Sequence, residues 1–313
     1  HHRSSAASDV YKRQVLSLHG IAVNTSRLRQ LSLDYGHLAQ EVGLKGLLSP
    51  AESVANKRVV ISFDGGRSRT REAKPEKTKK GYARYETPWK EPKILVIQVL
   101  NEQGELERKE SIPFYYGTLE STKTVMKKLT EVLLLLNAAQ AKVVQFIADG
   151  ALAIWAHIRK AIKKAGIAFS KVVFSLDYYH AVEHLKDLSL LLPVGSKEQA
   201  AVFEAWKSWL WEGLANSIVR DFKKRLKRAK VALTEEMQTA LGYFTKHHDR
   251  MQYKSFKRRK LLCGSGLVES AVRRIINLRF KGPSTFWKVE NLEKVILLRC
   301  AFLAKRWDNL LNN

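Results

Sequence analysis

Val59-Val60-Ile61-Ser62-Phe63-Asp64-Gly65-Gly66 and Val143-Val144-Gln145-Phe146-Ile147-Ala148-Asp149-Gly150 share one design. Each is a short, β-branched, apolar run that stops at Asp-Gly. Runs of this length and composition read as buried strands ending at a tight turn. Lys171–Leu176 repeats the pattern and ends at Asp177. Working outward from these, Lys93–Leu100 and Leu106–Phe114 read as two strands joined by a turn at Asn101–Glu105, an antiparallel meander. Leu119–Gln140 reads as a long amphipathic helix. Ala151–Lys164 reads as a second helix, with Gly166 placed to terminate it. Tyr178–Leu192 reads as a third, stopping at Pro193. The resulting order, β-β-β-α-β-α-β-α, mixes antiparallel pairing early with parallel pairing late. The expected fold is α/β, a mixed sheet flanked by helices. The basic, turn-rich stretch 67–92 reads as a mobile loop or hairpin.

Beyond Pro193 the strand signal disappears. Residues 196–258 read as helical, rich first in Trp (Trp206, Trp209, Trp211) and then in Lys and Arg. We read 193–262 as an all-helical insertion and 59–192 as the first part of the core. In 263–313, a helix over Gly264–Phe280, a break at Gly282-Pro283-Ser284 and a closing helix over Phe286–Leu311 are expected. Residues 15–58 read as short helical pieces with Gly and Ser-Pro breaks, a remnant N-terminal segment. Residues 1–14 have no initiator Met and no apolar periodicity, and read as non-native sequence with native N-terminal residues missing.

The chain has 313 residues and a formal net charge of +25, with 45% hydrophobic residues. That is enough for a real core, so disorder is excluded. Nucleic acid is the default partner for such charge, ahead of an anionic membrane surface. No apolar run approaches the ~18–20 residues of a membrane span, and a cytoplasmic, nucleoid-associated location is expected. Cys263 and Cys300 form no CxxC and read as buried free thiols of a reducing compartment.

Strand C-termini in α/β sheets open onto a ligand crevice. An Asp there, followed by Gly, presents a carboxylate with little steric cover. Two of them on neighbouring strands make a hard-oxygen site suited to Mg²⁺, which takes few protein ligands. The candidate third carboxylate is Glu269, on a helix with Arg273, Arg274, Arg279 and Lys281. The alternatives stay open at this level. An Asp-Gly after a strand is also an ordinary turn, and Glu269 is also an ordinary i,i+4 partner for Arg273.

The ordered set DGGR (64–67), ADGA (148–151), LDYYHAVEHL (176–185), GSGLVESA (264–271), RFKGPSTFW (279–287), LLR (297–299) and RWD (306–308) resembles the bacterial insertion-sequence transposases of the ISKra group, in the Mutator-like superfamily. The resemblance covers about residues 59–308. It implies an RNase H-like fold and a DDE triad at Asp64, Asp149 and Glu269, both catalytic and metal-ligating. It makes 193–262 the superfamily's helical insertion. Asp177-Tyr178-Tyr179-His180 looks like the family's Asp/Cys-x-x-His signature, which gives Asp177 and His180 a supporting or strand-handling role. An Asp capping the next helix is the plainer reading. One departure is that Lys281-Gly282 is followed by Pro283-Ser284-Thr285-Phe286, where the family has a second Gly and a basic residue.

The resemblance further implies two Mg²⁺ ions about 3.5–4 Å apart, replaceable by Mn²⁺, that cleave and transfer DNA strands. The partners would be double-stranded transposon ends and target DNA, with a homo-oligomer acting on them. Arg67, Arg69, Arg71, Lys79, Lys80, Arg273, Arg279 and Lys281 would meet phosphates. Trp287 would stack on an unpaired base or simply belong to the core. The basic runs Lys223–Lys230 and Lys254–Lys260 suit flanking DNA or a solvated helix face. Two other readings compete. His180-Ala181-Val182-Glu183-His184 matches the H-x-x-E-H of zinc peptidases, and a transposase-derived DNA-binding protein without activity would keep the same motifs.

Overall fold

The computed structural model describes residues 20, 23–49, 51–78, 80–107, 111, 113–283 and 285–312. Residues 1–14 and Lys79, which the sequence singles out, lie outside the described residues.

The Val59–Phe63 run becomes β1 (Arg58–Gly65), the middle of a five-stranded sheet. An exposed hairpin follows, β2 (Glu72–Lys77) and β3 (Ala83–Glu86). The sheet continues with β4 (Lys93–Leu100), β5 (Phe114–Thr118), β6 (Val143–Ala148) and β7 (Val172–Leu176), in the spatial order β5-β4-β1-β6-β7. β4 runs antiparallel to β1 and β5, while β1, β6 and β7 are mutually parallel. The expected mixed sheet is therefore present, with its parallel half at β1-β6-β7.

The second strand of the meander differs from expectation. Leu106 makes one isolated bridge to Leu100, residues 108–110 and 112 lie outside the described residues, and β5 runs Phe114–Thr118.

The helices are α1 (Thr25–Leu47), α2 (Thr122–Leu135), α3 (Leu152–Lys164), α4 (Tyr178–Leu190), α5 (Ser196–Trp211), α6 (Ala215–Ala229), α7 (Glu235–His247), α8 (Tyr253–Arg258), α9, α10 (Val289–Leu303) and α11 (Trp307–Leu311). Helix α9 begins as Gly266–Val272, passes through a π-helical stretch Arg273–Asn277, and ends at Leu278–Phe280. Helix α2 is shorter than read, because Asn137 turns left-handed (φ 53°) before a 3₁₀ turn at Ala138–Gln140. The closing helix is two, split where Lys305 adopts φ 52°. The N-terminal pieces form one helix kinked at Gly43. It packs on α10 so closely that a Cβ on Gly36 would lie 2.7 Å from the Lys294 carbonyl.

Alternation along the strands sorts the core. Val59, Ile61, Phe63, Leu95, Ile97, Val144 and Phe146 face α2 and α3. Ile94 and Val96 face α9 and α10, against Val268, Ile275, Ile276 and Ile296. Each fully buried aliphatic or Phe side chain contributes roughly 1.5–3 kcal/mol. On this second face the centre is polar: Ser62, Gln145 and Ser175 are all fully buried. Among the described residues no helix is long and apolar enough to cross a membrane.

Candidate active site

The registers bring three aspartates together without reference to side chains. β1 pairs with β6 with Ser62 opposite Ile147, and β6 pairs with β7 with Ala148 opposite Leu176. The pairing stops there; two residues beyond the first pair lie Asp64 and Asp149, and one beyond the second lie Asp149 and Asp177, all at the C-terminal rim of three adjacent parallel strands. Neighbouring strands lie about 4.8 Å apart. This is the position where open α/β sheets bind ligands.

Glu269 reaches the rim by a separate route, and the polar centre of the sheet explains how. Gln145 sits mid-strand in an otherwise apolar run. Its side-chain amide donates to Ser175 Oγ (2.9 Å) and to the Leu262 carbonyl (2.6 Å), and its Oε1 accepts the Leu262 N–H (3.0 Å). The Tyr178 N–H donates to the Cys263 carbonyl at 3.0 Å. The Ser265 N–H donates a short bond to Asp177 Oδ2. Residues 262–265 are thereby laced across β6 and β7 and deliver the start of α9 to the rim. There Ser265 Oγ donates to Glu269 Oε1 at 2.8 Å. Gly66 lets α9 close on the β1 turn: a Cβ there would stand 3.1 Å from Ile276.

Asp177 is fully buried and caps α4, accepting the His180 N–H at 2.8 Å. The capping reading is correct and incomplete, because the same carboxylate also grips Ser265. Burial alone would raise its pKa, but hydrogen bonds from His180 and Ser265 overcome that and hold it at about 2. His180 in turn is raised to about 9, chiefly by the Asp177 carboxylate, whose Oδ1 stands 3.6 Å from its Nδ1. It is therefore a cation at neutral pH. Asp64 behaves oppositely. Burial raises its pKa most, the Gly65 N–H at 2.7 Å pulls it back, and the negative charges of Asp149 and Glu269 add to the rise, giving about 6. His180 opposes that rise. The three carboxylates and His180 thus share one electrostatic field.

The donor set, three carboxylates, is that of a hard-cation site. Among the described residues, no three His, Cys, Asp or Glu side chains stand in metal-holding geometry. Asp149 Oδ1 is occupied by the Ala151 N–H (2.9 Å) and Glu269 by Ser265. His184, the second imidazole of H-x-x-E-H, lies on the Tyr243 ring with centroids 3.9 Å apart, while His180 is held by Asp177.

A second set of contacts surrounds Asp149 that the sequence did not reveal. The Trp155 indole N–H donates to the Asp149 carbonyl (2.7 Å). Arg250 stacks on Trp155 at 4.2 Å and donates to His247 Nδ1 at 2.7 Å. His247 is lowered to about 4, first by burial and then by Arg250. The Tyr243 ring covers Gly150, where a Cβ would overlap it. Burial raises the Tyr243 hydroxyl strongly, and that hydroxyl has no hydrogen-bond partner.

Of the expected phosphate-binding residues, Arg67, Arg69, Arg71, Lys80, Arg273 and Lys281 are exposed. The Arg71 guanidinium sits 3.6 Å over the Tyr85 ring, and Arg279 sits 5.6 Å over Trp287. Trp287 is half-buried and packs edge-on against Phe280, with centroids 5.0 Å apart. Of the two thiols, Cys300 is buried, whereas Cys263 is only half-buried.

No protein-family model matches the chain, and no curated protein matches it. Among solved structures, the Drosophila P element transposase strand transfer complex is similar at 13% identity, over 100% of this chain and 78% of that one, with a TM-score of 0.31. A superposition this loose leaves the functional reading to the chain's own geometry.

Proposed function

We propose that this chain is a DNA transposase with an RNase H-like core, a DDE triad of Asp64, Asp149 and Glu269, and a helical insertion between β7 and α9. The carrying observation is the shared rim. Two Asp-Gly strand ends stand side by side at the rim of the parallel half-sheet, and the helix bearing Glu269 is laced to the same rim. The sequence motifs resembling ISKra-group transposases support the same reading, as does a net charge of +25.

In this reading Asp64, Asp149 and Glu269 hold Mg²⁺ or Mn²⁺, which would supply Lewis acidity toward a phosphodiester. The reaction is two displacements at phosphorus. Water first releases a 3′-hydroxyl, and that hydroxyl then attacks a target phosphate as a 3′-oxygen leaves, with no covalent protein intermediate. The chain's own groups do the positioning. Asp177 fixes the start of α9, and so Glu269, by holding Ser265. The His180 cation offsets negative charge at the rim. Exposed Arg67, Arg69, Arg71 and Lys281 neutralise backbone phosphates, making binding steeply salt-dependent. Transposon ends and target would be duplex DNA, bound by a homo-oligomer at the nucleoid.

Nicking of supercoiled plasmid with Mg²⁺ or Mn²⁺ tests this. Asp64→Asn, Asp149→Asn and Glu269→Gln should each lose about 10³-fold or more, the loss of several kcal/mol of transition-state stabilisation. Mg²⁺-dependent nicking retained in Asp64→Asn sinks the mechanism. Binding without any nicking by the wild type favours an inactive, transposase-derived DNA-binding protein.

A further inference from the structure

From the Asp64 turn the chain runs directly into Ser68-Arg69, which pairs with Trp89-Lys90. Opposite them lies the loop that leaves α9. Between the two is a cleft of about 200 Å³, lined by Arg69, Trp89, Phe280, Lys281 and Phe286, among others. That is below the ~300–1,000 Å³ of drug-sized ligand sites, so the cleft has room for one flat ring and not for a larger ligand.

Three properties define what fits there. First, two large aromatic side chains are left open to solvent: Trp89 is 52% exposed and Phe286 39%. Second, the cleft is cationic. Arg69 stands 4.9 Å over the Trp89 ring and 6.0 Å from the Phe286 ring, and Lys281 is exposed at the edge. Among the described residues neither cation is ion-paired with a carboxylate. Third, the walls are fixed by backbone bonds. The Trp287 N–H donates to the Arg69 carbonyl (3.2 Å), and the Arg71 N–H donates to the Trp287 carbonyl (2.8 Å). Trp287, the aromatic that the sequence offered for stacking, is instead turned onto Phe280 and holds the wall in place.

We propose that this cleft takes an unpaired nucleobase, stacked by Trp89 and Phe286, with the flanking phosphates on Arg69 and Lys281. A flat π-face beside a backbone charge is what exposed aromatics with unpaired cations recognise. The inference rests on the DNA-processing reading above and adds to it a place where the duplex is opened. Glu269 and Phe280 lie on the same helix, α9, so the cleft and the carboxylate share one structural support.

The test uses the full chain and two probes, a thymidine single strand carrying one 5-iodouracil and an intact duplex without unpaired bases. Near-ultraviolet irradiation of the iodinated strand should cross-link it to the peptide containing Trp89 or Phe286. Trp89→Ala and Phe286→Ala should weaken single-strand binding about 5- to 150-fold, the range for loss of one stacked base. Trp89→Phe should restore most of it, and duplex affinity should change less than about twofold. Cross-links mapping elsewhere, or equal losses on single strand and duplex, overturn the proposal. Cross-linking at Trp89 or Phe286 in a wild type that never nicks plasmid removes the enzyme reading and leaves the cleft. Nicking without that cross-link removes the cleft alone.

Discussion

Asp64-Gly65-Gly66 and Asp149-Gly150-Ala151 end adjacent strands with the same dipeptide, yet different bodies hold the two turns. The Asp64 turn is closed by α9: Gly66 lies on Ile276, and the carboxyl feels both Asp149 and Glu269. The Asp149 turn is closed by the helices after β7: Tyr243 covers Gly150, and Arg250 and His247 stack on Trp155 of α3 beside it. The glycines are therefore needed for different neighbours.

The sharpest way to break this comparison is to put a methyl group on each turn. Gly150→Ala should cost about 1–3 kcal/mol, because its Cβ overlaps an aromatic ring in a packed site. Gly66→Ala should cost less, because Ile276 need give only a few tenths of an ångström from its 3.1 Å contact. Chemical denaturation measures both. If Tyr243→Ala added to Gly150→Ala recovers no stability, the pair is not coupled and the account of the Asp149 turn fails.

Charge gives a second, somewhat smaller contrast. Asp64 is raised in the folded chain from 3.8 to about 6. The folded state therefore holds more protons than the unfolded one between those values, and stability falls as pH rises through that window. Without divalent metal at pH 7, Asp64→Asn should thus stabilise the fold. The gain is on the order of 1–2 kcal/mol after allowing for the solvent contact of a half-buried group. The gain should vanish below about pH 4. Unchanged thermal melts across that range would show that Asp64 carries no such strain. Asp177, held at about 2, has the opposite sign: its contribution is present above 3.8 and is lost as pH falls through about 2.

The smallest expected effect concerns the flanks. Arg67 and Arg71 lie on the Asp64 side, whereas Lys223 and Lys227 lie on the exposed face of α6, beyond the Asp149 side. Removing one phosphate contact lowers the slope of log affinity against log salt by about 0.9 for duplex DNA. Arg67→Ala and Arg71→Ala should each show that drop. If Lys223→Ala and Lys227→Ala show it equally, DNA crosses both flanks, and the helical region is part of the path.

Much of the rim was legible in advance. VVISF and VVQFIA were readable as buried strands because β-branched runs bounded by Gly have few other uses. The antiparallel and parallel halves of the sheet followed from which strands were separated by helices. Glu269 was different, since a single Glu on a basic helix has no signature of its own, and only the family resemblance singled it out. Gln145 was the available clue that went unused: a polar residue inside a fully buried strand requires a hydrogen-bonding partner, and here that partner is the backbone leading to α9. Trp89 carried no signal within a stretch that read as loop, and whether Trp287 or Phe286 faces solvent depends on packing around Phe280.

The sequence by itself determined the strands, their Asp-Gly ends, the run of helices after Pro193 and the cationic character of the surface. Local periodicity and composition carry those. Tertiary structure alone decided that Asp64, Asp149 and Asp177 share a rim, that Asp177 holds the start of the Glu269 helix, and that Tyr243 seals the second turn. The reason is physical: register, close approach and burial arise between segments 28 to 210 residues apart, from Ala148 and Leu176 to Gly66 and Ile276, and no local pattern records which distant backbone will lie across a given strand.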